Sequence, residues 1–223
     1  MAPQNQFDHI AIGASNLDVG ADHIKTLLGV DIPMGGEHTL MGTHNRLMSL
    51  GHDLGTDTYM EVIAINPNAD RPSRPLWFGL DSDEQQEFLS ESPKPVAWVM
   101  RTNNIERTLV QARDAGIDLG EPLEMTRGAL CWIIAVREDG LLPEGGTLPV
   151  VIQWPDGPHP ANSMKDFGFR INAIRLSHPQ PQELTKKLEA IDADHLVTVE
   201  PFPSNKPSVS CDLLTPNGKL VRL

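Results

Sequence analysis

The residue type that first suggests chemistry is a carboxylate, Glu61, in the stretch TYMEVIAIN. Its neighbours are mostly β-branched, aromatic or otherwise apolar, which predicts a strand. Side chains of a strand alternate between its faces, so both faces of this strand are apolar apart from Glu61. Burying an unpaired carboxylate is very unfavourable. Glu61 is therefore expected to be paired, protonated, bound to a cation or, on an edge strand, turned to water.

The elements before Glu61 predict a first module of the order βαβββ. The segment FDHIAIGAS predicts a strand, and NLDVGADHIKTLLG predicts a helix that is capped by Asn16 or Ser15 and stopped by Gly29. Three short strands follow in EHTLMG, NRLMSLG and TYMEVIAIN, separated by turns that contain glycine. This module takes residues 1–67.

The same order of elements returns further along the chain. After a Pro-rich connecting segment, 68–93, a strand and an Asn-capped helix recur in KPVAWVMRTNNIERTLVQARDAGIDLG. Superposing Asn16 on Asn104 gives an offset of 88 residues, and ALCWIIAVRE and LPVVIQWP supply later strands of a second module, 94–160. Residues 161–223 predict a shorter third module of βαββ or βαβββ type that ends in a hairpin at Asn217-Gly218.

Composition restricts the classes of partner. The net charge of −12, from 18 Lys and Arg against 30 Asp and Glu, repels the phosphates of nucleic acid, and no run of basic residues offsets it. No apolar run approaches the ~20 residues that span a bilayer. With 2 cysteines and no apolar leader before Phe7, the expectation is a cytoplasmic protein with neither nucleic acid nor membrane as partner.

The motifs resemble the vicinal oxygen chelate superfamily, which includes glyoxalases, extradiol dioxygenases and bleomycin-resistance proteins. The likeness rests on FDHIAIGASNLD in the first strand and YMEVIA in the fourth. Later motifs are similar to its glyoxalase-like subfamily: GGEHTLMGTHNRLMSLG, RPLWFGLD, VAWVMRT, AGIDLG and QWPDGPHPA. The resemblance implies an α+β fold in which tandem βαβββ modules form a cupped mixed sheet, with the third module added at the C-terminal end.

The resemblance also implies a divalent metal at the bottom of the cup, held by the first and fourth strands of each module. In the first module these strands carry His9 and Glu61, and an imidazole and a carboxylate on adjacent strands can share one ion at about 2.0–2.2 Å. The ion would be Fe, Zn, Mn or Ni. In the second module the 88-residue offset carries His9 to Ala97. The counterpart of Glu61 is Pro149 or, if the strand slips, Gln153, so half of the expected ligands are missing.

A third ligand would have to come from elsewhere in the chain. His44, at the start of the third strand, would complete a set of two histidines and one carboxylate, as in non-haem Fe(II) oxygenases. His159, in DGPHPA, is the next candidate. Glu61 or His44 would then move the proton in catalysis.

Six residues are candidate contacts to a substrate. Asn45 enters a strand at the mouth of the predicted cup, and Trp77 lies in the Pro-rich segment, where it is either a lid or a packing residue. Arg101 ends a strand, either as a fork for an anionic group or as an exposed side chain. Trp154 is also explained as a core residue. The full set is Asn45, Trp77, Arg101, Gln153, Trp154 and His159.

Two functions are consistent with these residues. The first is a metal-dependent lyase, isomerase or dioxygenase whose substrate chelates the ion through two neighbouring oxygens. The second is a metal-free protein that binds a small organic molecule in the same cup, which Ala97 and Pro149 favour. The partner in both cases is a small molecule. The sequence leaves open whether a second copy of the chain completes the cup in a homodimer.

Overall fold

The computed structural model of the protein describes residues 5–51, 57–201 and 206–223. The first module consists of β1 (Asn5–Gly13), α1 (Leu17–Leu28), β2 (Met34–His38), β3 (Thr43–Ser49) and β4 (Tyr59–Ile65). A connecting segment with α2 (Asp83–Glu91) follows. The second module consists of β5 (Lys94–Thr102), α3 (Ile105–Asp114), β6 (Glu121–Arg127), β7 (Leu130–Val136) and β8 (Val150–Gln153).

The helices of the two modules begin with the same local signal. The side chain of Asn16 accepts a hydrogen bond from the Val19 amide at the start of α1, and Asn104 does the same for Arg107 at the start of α3. Such caps satisfy an amide that has no partner within the helix. The equivalent caps explain why the two helices lie at matching places in the two modules.

The eight strands of the two modules form one sheet in the order β2-β3-β4-β1-β5-β8-β7-β6. The first strand of each module runs parallel to its fourth strand, and β1 and β5 pair antiparallel in the middle. His9 lies opposite Val99, and Ala11 lies opposite Ala97. Adding 88 to His9 and Ala11 gives Ala97 and Val99, so each pair is the counterpart of the other. This relation is that of a local two-fold axis between β1 and β5. The fold class predicted from the sequence, tandem βαβββ modules in a cupped mixed sheet, is confirmed.

The two faces of this sheet have different coverings. On one face, Ile10 and Trp98 belong to a core that is covered by α1, α3 and the C-terminal module. The other face is the concave side of the cup, where Ala97 contributes to a second apolar cluster. Trp77 and Phe78 of the connecting segment are buried in that cluster. Because each such side chain gains roughly 1.5–3 kcal/mol from burial, the connecting segment is held in the cup.

The C-terminal module has its own sheet. It consists of β9 (Arg170–His178), α4 (Pro181–Ala190), β10 (Thr198–Pro201), β11 (Ser208–Leu214) and β12 (Leu220–Arg222). The strand order is β10-β9-β11-β12, so the first strand runs parallel to the second one and not to the fourth. The element order therefore repeats that of the first two modules, but the pairing does not. The predicted turn at Asn217-Gly218 joins β11 to β12.

Among the described residues, no helix has the length and apolar character needed to cross a bilayer.

Candidate functional site

A β-bulge in β1 places two successive side chains in one site. Phe7 pairs with Met100 and His9 with Val99, so Asp8 is an extra residue in β1. A bulge interrupts the alternation of the strand and re-aims a side chain. As a result, His9 Nδ1 donates to Asp8 Oδ1 at 2.6 Å, and both side chains are buried.

The other ring nitrogen of His9 faces Glu61. Glu61 lies on β4 opposite Ala11, and its Oε2 is 3.6 Å from His9 Nε2. Asn45 Nδ2 donates to Glu61 Oε1 at 2.5 Å. The ring of Tyr59 stacks on the His9 ring at a centroid distance of 4.2 Å, which fixes the orientation of the imidazole. Glu61 is thus a buried carboxylate that is paired inside the cup.

These contacts fix the charges of the site. Burial lowers the pKa of His9, but the contacts with Asp8 and Glu61 outweigh this and raise the pKa to about 9. Burial raises the pKa of Glu61, but His9 and Asn45 outweigh it and lower the pKa to about 2. The pKa of Asp8 is likewise held well below its usual value by His159 and His9, against the effect of burial. At neutral pH, His9 is therefore a cation between two carboxylates.

Two residues that line the cup, His38 and Arg127, were not predicted as site residues, because no motif or spacing in the sequence singles them out. His38 ends β2 and is buried, with Nδ1 3.0 Å from Thr43 Oγ1. Burial lowers the pKa of His38 to about 4, so its ring is neutral. Arg127 ends β6, and its Nη1 donates to Asn45 Oδ1 at 3.2 Å and lies 3.5 Å from His38 Nε2. The ends of β2 and β6, the two edge strands, thus meet across the cup.

The predicted lid residue, Trp77, is packed inside the cup. Its Nε1 donates to Thr43 Oγ1 at 3.2 Å, and its ring meets the His38 ring edge-on at 4.8 Å. Phe78 stacks on Trp77 with 11° between the ring planes. The cavity that remains between these rings and the polar residues is about 30 Å³, which is room for about two water molecules.

Three of the predicted substrate contacts, Arg101, Trp154 and His159, converge on Asp8. Trp154 Nε1 donates to Asp8 Oδ2 at 3.0 Å, and His159 Nε2 donates to the same oxygen at 2.9 Å. Arg101 Nη1 lies 3.9 Å from it. Arg101 and His159 line an outer cleft of about 510 Å³. Trp154 lines both this cleft and the cup.

Two predicted site residues lie away from the cup. His44 is next to Asn45 on β3 and points to the opposite face of the sheet, because successive side chains alternate. Its Nε2 is buried without a hydrogen-bond partner among the described residues. Gln153 Oε1 accepts from the Ile105 amide at the start of α3. The predicted ligand set of His9, Glu61 and His44 is therefore not assembled, and Gln153 has a helix-capping position.

The residues of the cup do not fit a resident divalent metal. The local two-fold axis relates Ala11 to Val99. Ala11 pairs with Glu61 in the first module, and Val99 pairs with Val150 in the second. The counterpart of Glu61 is therefore Val150, and not Pro149 or Gln153. Three side chains of ligand type line the cup, His9, His38 and Glu61, but their ligand atoms do not all lie within 4.8 Å of one another, whereas catalytic zinc sites usually hold the ion with three ligands from the protein. Among the described residues, three His, Cys, Asp or Glu ligand atoms approach within 4.8 Å of one another only in the exposed group of Asp192, Asp194 and His195.

A cup built from two βαβββ modules, with His9 on the first strand and Glu61 on the fourth, is the architecture of the vicinal oxygen chelate superfamily. The family model described as "Glyoxalase-like domain" matches residues 7–191. The chain therefore belongs to the glyoxalase-like domain family. A comparison with curated proteins gives no match.

Several solved structures are similar to the chain at low sequence identity. A hypothetical protein from Staphylococcus aureus has 17% identity and a TM-score of 0.58, covering 98% of this chain and 84% of its own. A variant of Streptomyces coelicolor methylmalonyl-CoA epimerase with 2-nitronate-propionyl-CoA has 15% identity and a TM-score of 0.42, covering 70% of this chain and 98% of its own. Methylmalonyl-CoA epimerase from Mycobacterium tuberculosis has 17% identity and a TM-score of 0.39, covering 69% of this chain and 89% of its own.

Proposed function

We propose that the chain binds a small oxygen-bearing organic molecule in the cup without a resident divalent metal. The observation that carries this proposal is the pairing inside the first half of the cup. Glu61 is already neutralised by His9 and hydrogen-bonded by Asn45. In the second half, the counterparts of His9 and Glu61 are Ala97 and Val150, which cannot ligate an ion.

The charges of the cup favour binding over proton transfer. General acid–base catalysis is most effective when the pKa of the group lies near the working pH. The pKa values of His9, Glu61 and His38 are about 9, 2 and 4. At neutral pH these groups hold fixed protonation states, so they present a constant pattern of donors and acceptors to a ligand.

This pattern suits a carbonyl, hydroxy-acid or related ligand. The 3.6 Å separation between His9 Nε2 and Glu61 Oε2 is too long for a hydrogen bond. The His9 N–H is therefore available to a ligand oxygen. The rings of Trp77 and Trp132 supply apolar walls on the other side of the cavity. A ligand larger than a few heavy atoms would have to displace the Trp77 and Phe78 rings.

A metal-dependent lyase, isomerase or dioxygenase is the second candidate. It is favoured by one observation, namely that His9 Nε2 and Glu61 Oε2 lie close together and face the same cavity. It would require further ligands, which neither His44 nor the second module supplies.

The proposal is tested by ligand-observed NMR on chelator-treated protein with a library of small carbonyls, hydroxy acids and diols. Asn45→Ala removes a hydrogen-bond donor from the cup, whereas His44→Ala changes the adjacent residue on the opposite face and is the matched control. We expect ligands that bind the wild type and the His44 variant and that lose affinity for the Asn45 variant. Equal loss in both variants, or binding only after a divalent metal is added, would overturn the proposal.

A further inference from the structure

Arg127 is a guanidinium that lines the cavity of the cup. We infer that Arg127 binds a carboxylate there, so that the ligand is a small organic acid of a few heavy atoms. This inference rests on the proposed function, because it names the chemical class of the ligand for the same cavity.

The contacts of Arg127 leave its charge without a counter-ion. Its Nη1 contacts Asn45 Oδ1 and His38 Nε2, which both belong to uncharged side chains. Among the described residues, no carboxylate oxygen lies within 4.0 Å of the guanidinium. Glu61, the carboxylate of the cavity, is ion-paired with His9 and accepts a hydrogen bond from Asn45. A carboxylate on a ligand would supply Arg127 with the counter-ion that these residues do not provide.

The guanidinium of Arg127 has donors beyond those that contact the protein. A guanidinium presents five N–H donors in a planar fork, and pairs with a carboxylate through two parallel hydrogen bonds. In the part of the chain that the structure describes, Nη1 is the nitrogen with protein partners. Nη2 and Nε have no hydrogen-bond partner among these residues, and together they form an edge of the guanidinium that can pair with a carboxylate. A lysine would place a single point charge there and would lose this geometry.

The protein is shaped to hold Arg127 at this place. A Cβ on Gly36 would lie 2.6 Å from Arg127 Cδ, so the absence of a side chain at Gly36 makes room for the arginine stem. The Gly36 amide also donates to Asn45 Oδ1 at 2.9 Å, beside the Arg127 contact. The guanidinium carbon lies 6.0 Å from the ring centre of Trp132, at the outer limit of a cation–π contact.

The cavity limits the size of the acid. Its volume of about 30 Å³ favours the smallest acids, formate and acetate, over a longer acid. Acetate and acetamide have the same shape and number of heavy atoms, but only acetate is charged. This pair therefore separates recognition of charge from recognition of shape.

The test is titration of acetate and acetamide, followed by NMR, into the wild type, Arg127→Met, Arg127→Lys and the control Arg107→Met, which changes an exposed arginine on α3. We expect acetate to bind the wild type and the control about tenfold or more tightly than acetamide, as for a charge-assisted pair. The preference should vanish in Arg127→Met and be reduced in Arg127→Lys. Gly36→Ala, which keeps the guanidinium but displaces its stem, should also weaken acetate binding. Amide spectra of each variant verify that the fold is intact.

Three outcomes would overturn the inference. If acetate and acetamide bind equally and Arg127→Met changes neither, the cup binds small molecules but Arg127 does not select an acid. If neither binds while neutral compounds from the library do, the proposed function stands and the inference fails. If no compound binds the cup, both fail.

Discussion

The two halves of the cup have the same backbone and different chemistry. In the first half, β1 and β4 carry His9 and Glu61, which pair with each other and with Asp8 and Asn45. In the second half, β5 and β8 carry Ala97 and Val150 at the corresponding positions. Glu61 thus has its charged partner, His9, and its hydrogen-bond donor, Asn45, within the first half of the cup. A symmetric scaffold can thus carry a buried charge pair at these positions in one half and apolar residues at the corresponding positions in the other.

The largest expected effect comes from putting a carboxylate in the apolar half. Val150→Glu buries a charge at the counterpart of Glu61 with no partner, and should lower the free energy of unfolding by about 4–5 kcal/mol. The double variant with Ala97→His supplies the missing partner and should recover part of this loss. Urea unfolding of the two single variants and the double variant measures the coupling. Strictly additive losses would show that the two halves are not equivalent in geometry.

Removing the carboxylate that organises the polar half should have the next largest effect. Asp8→Ala leaves the donors of His9, His159 and Trp154 without their shared acceptor. We expect a loss of about 3 kcal/mol in the free energy of unfolding. Asp22→Ala, on the exposed side of α1, is the control and should have almost no effect. If both variants unfold like the wild type, the Asp8 contacts contribute nothing to stability.

The pH dependence of stability should report the charge pair of the polar half. The pKa of His9 is raised from 6.5 to about 9, so its stabilisation is complete below pH 6.5 and is lost as the pH rises toward 9. The pKa of Glu61 is lowered from 4.5 to about 2, so its stabilisation is present above pH 4.5 and is lost as the pH falls toward 2. His9→Gln should remove the alkaline loss, and His44→Ala should keep it. An alkaline loss that persists in His9→Gln must come from another group.

The smallest expected loss of stability comes from replacing the glycine that follows the helix of each module, and it should be equal in the two modules. Gly29 and Gly116 follow α1 and α3 with φ of 71° and 73°, and no atom lies within 4 Å of a Cβ built on either. Replacing either one by Ala places a side chain in a left-handed conformation and should cost about 1 kcal/mol. Thermal unfolding of the two variants should therefore give matching shifts. Unequal shifts would show that the helix ends of the two modules differ.

Much of the scaffold could be predicted from the sequence because its signals are local. The Asn caps recur at an offset of 88 residues and the glycine stops at 87, and this repetition indicated the tandem modules. Because both faces of its strand are apolar, Glu61 was expected to be paired, protonated, bound to a cation or turned to water, and the structure shows it paired. The third module was predicted as an echo of the first two, but its strands pair in another order. Pairing order depends on contacts between distant segments, which element order alone does not specify.

The site was harder to predict because it depends on the pairing register of the strands and on how closely the two edge strands of the cup approach each other. Asp8 and His9 point to the same face of β1 only because of a β-bulge, and no residue pattern in the sequence predicts that bulge. Since His44 and Asn45 are adjacent on one strand, alternation allowed only one of them to face Glu61, but the choice depended on the strand register. His38 and Arg127 are 89 residues apart and meet only where the edges of the cup approach each other.

The measurement that most directly tests the central claim is the metal content of freshly purified protein, by plasma mass spectrometry, for the wild type, Glu61→Gln and His9→Ala. Because Glu61 is paired with His9 and Asn45 without an ion, we expect far less than one Fe, Zn, Mn or Ni per chain. We expect no difference in metal content among the three proteins. Close to one metal per chain in the wild type, lost in both variants, would contradict the account and establish His9 and Glu61 as ligands.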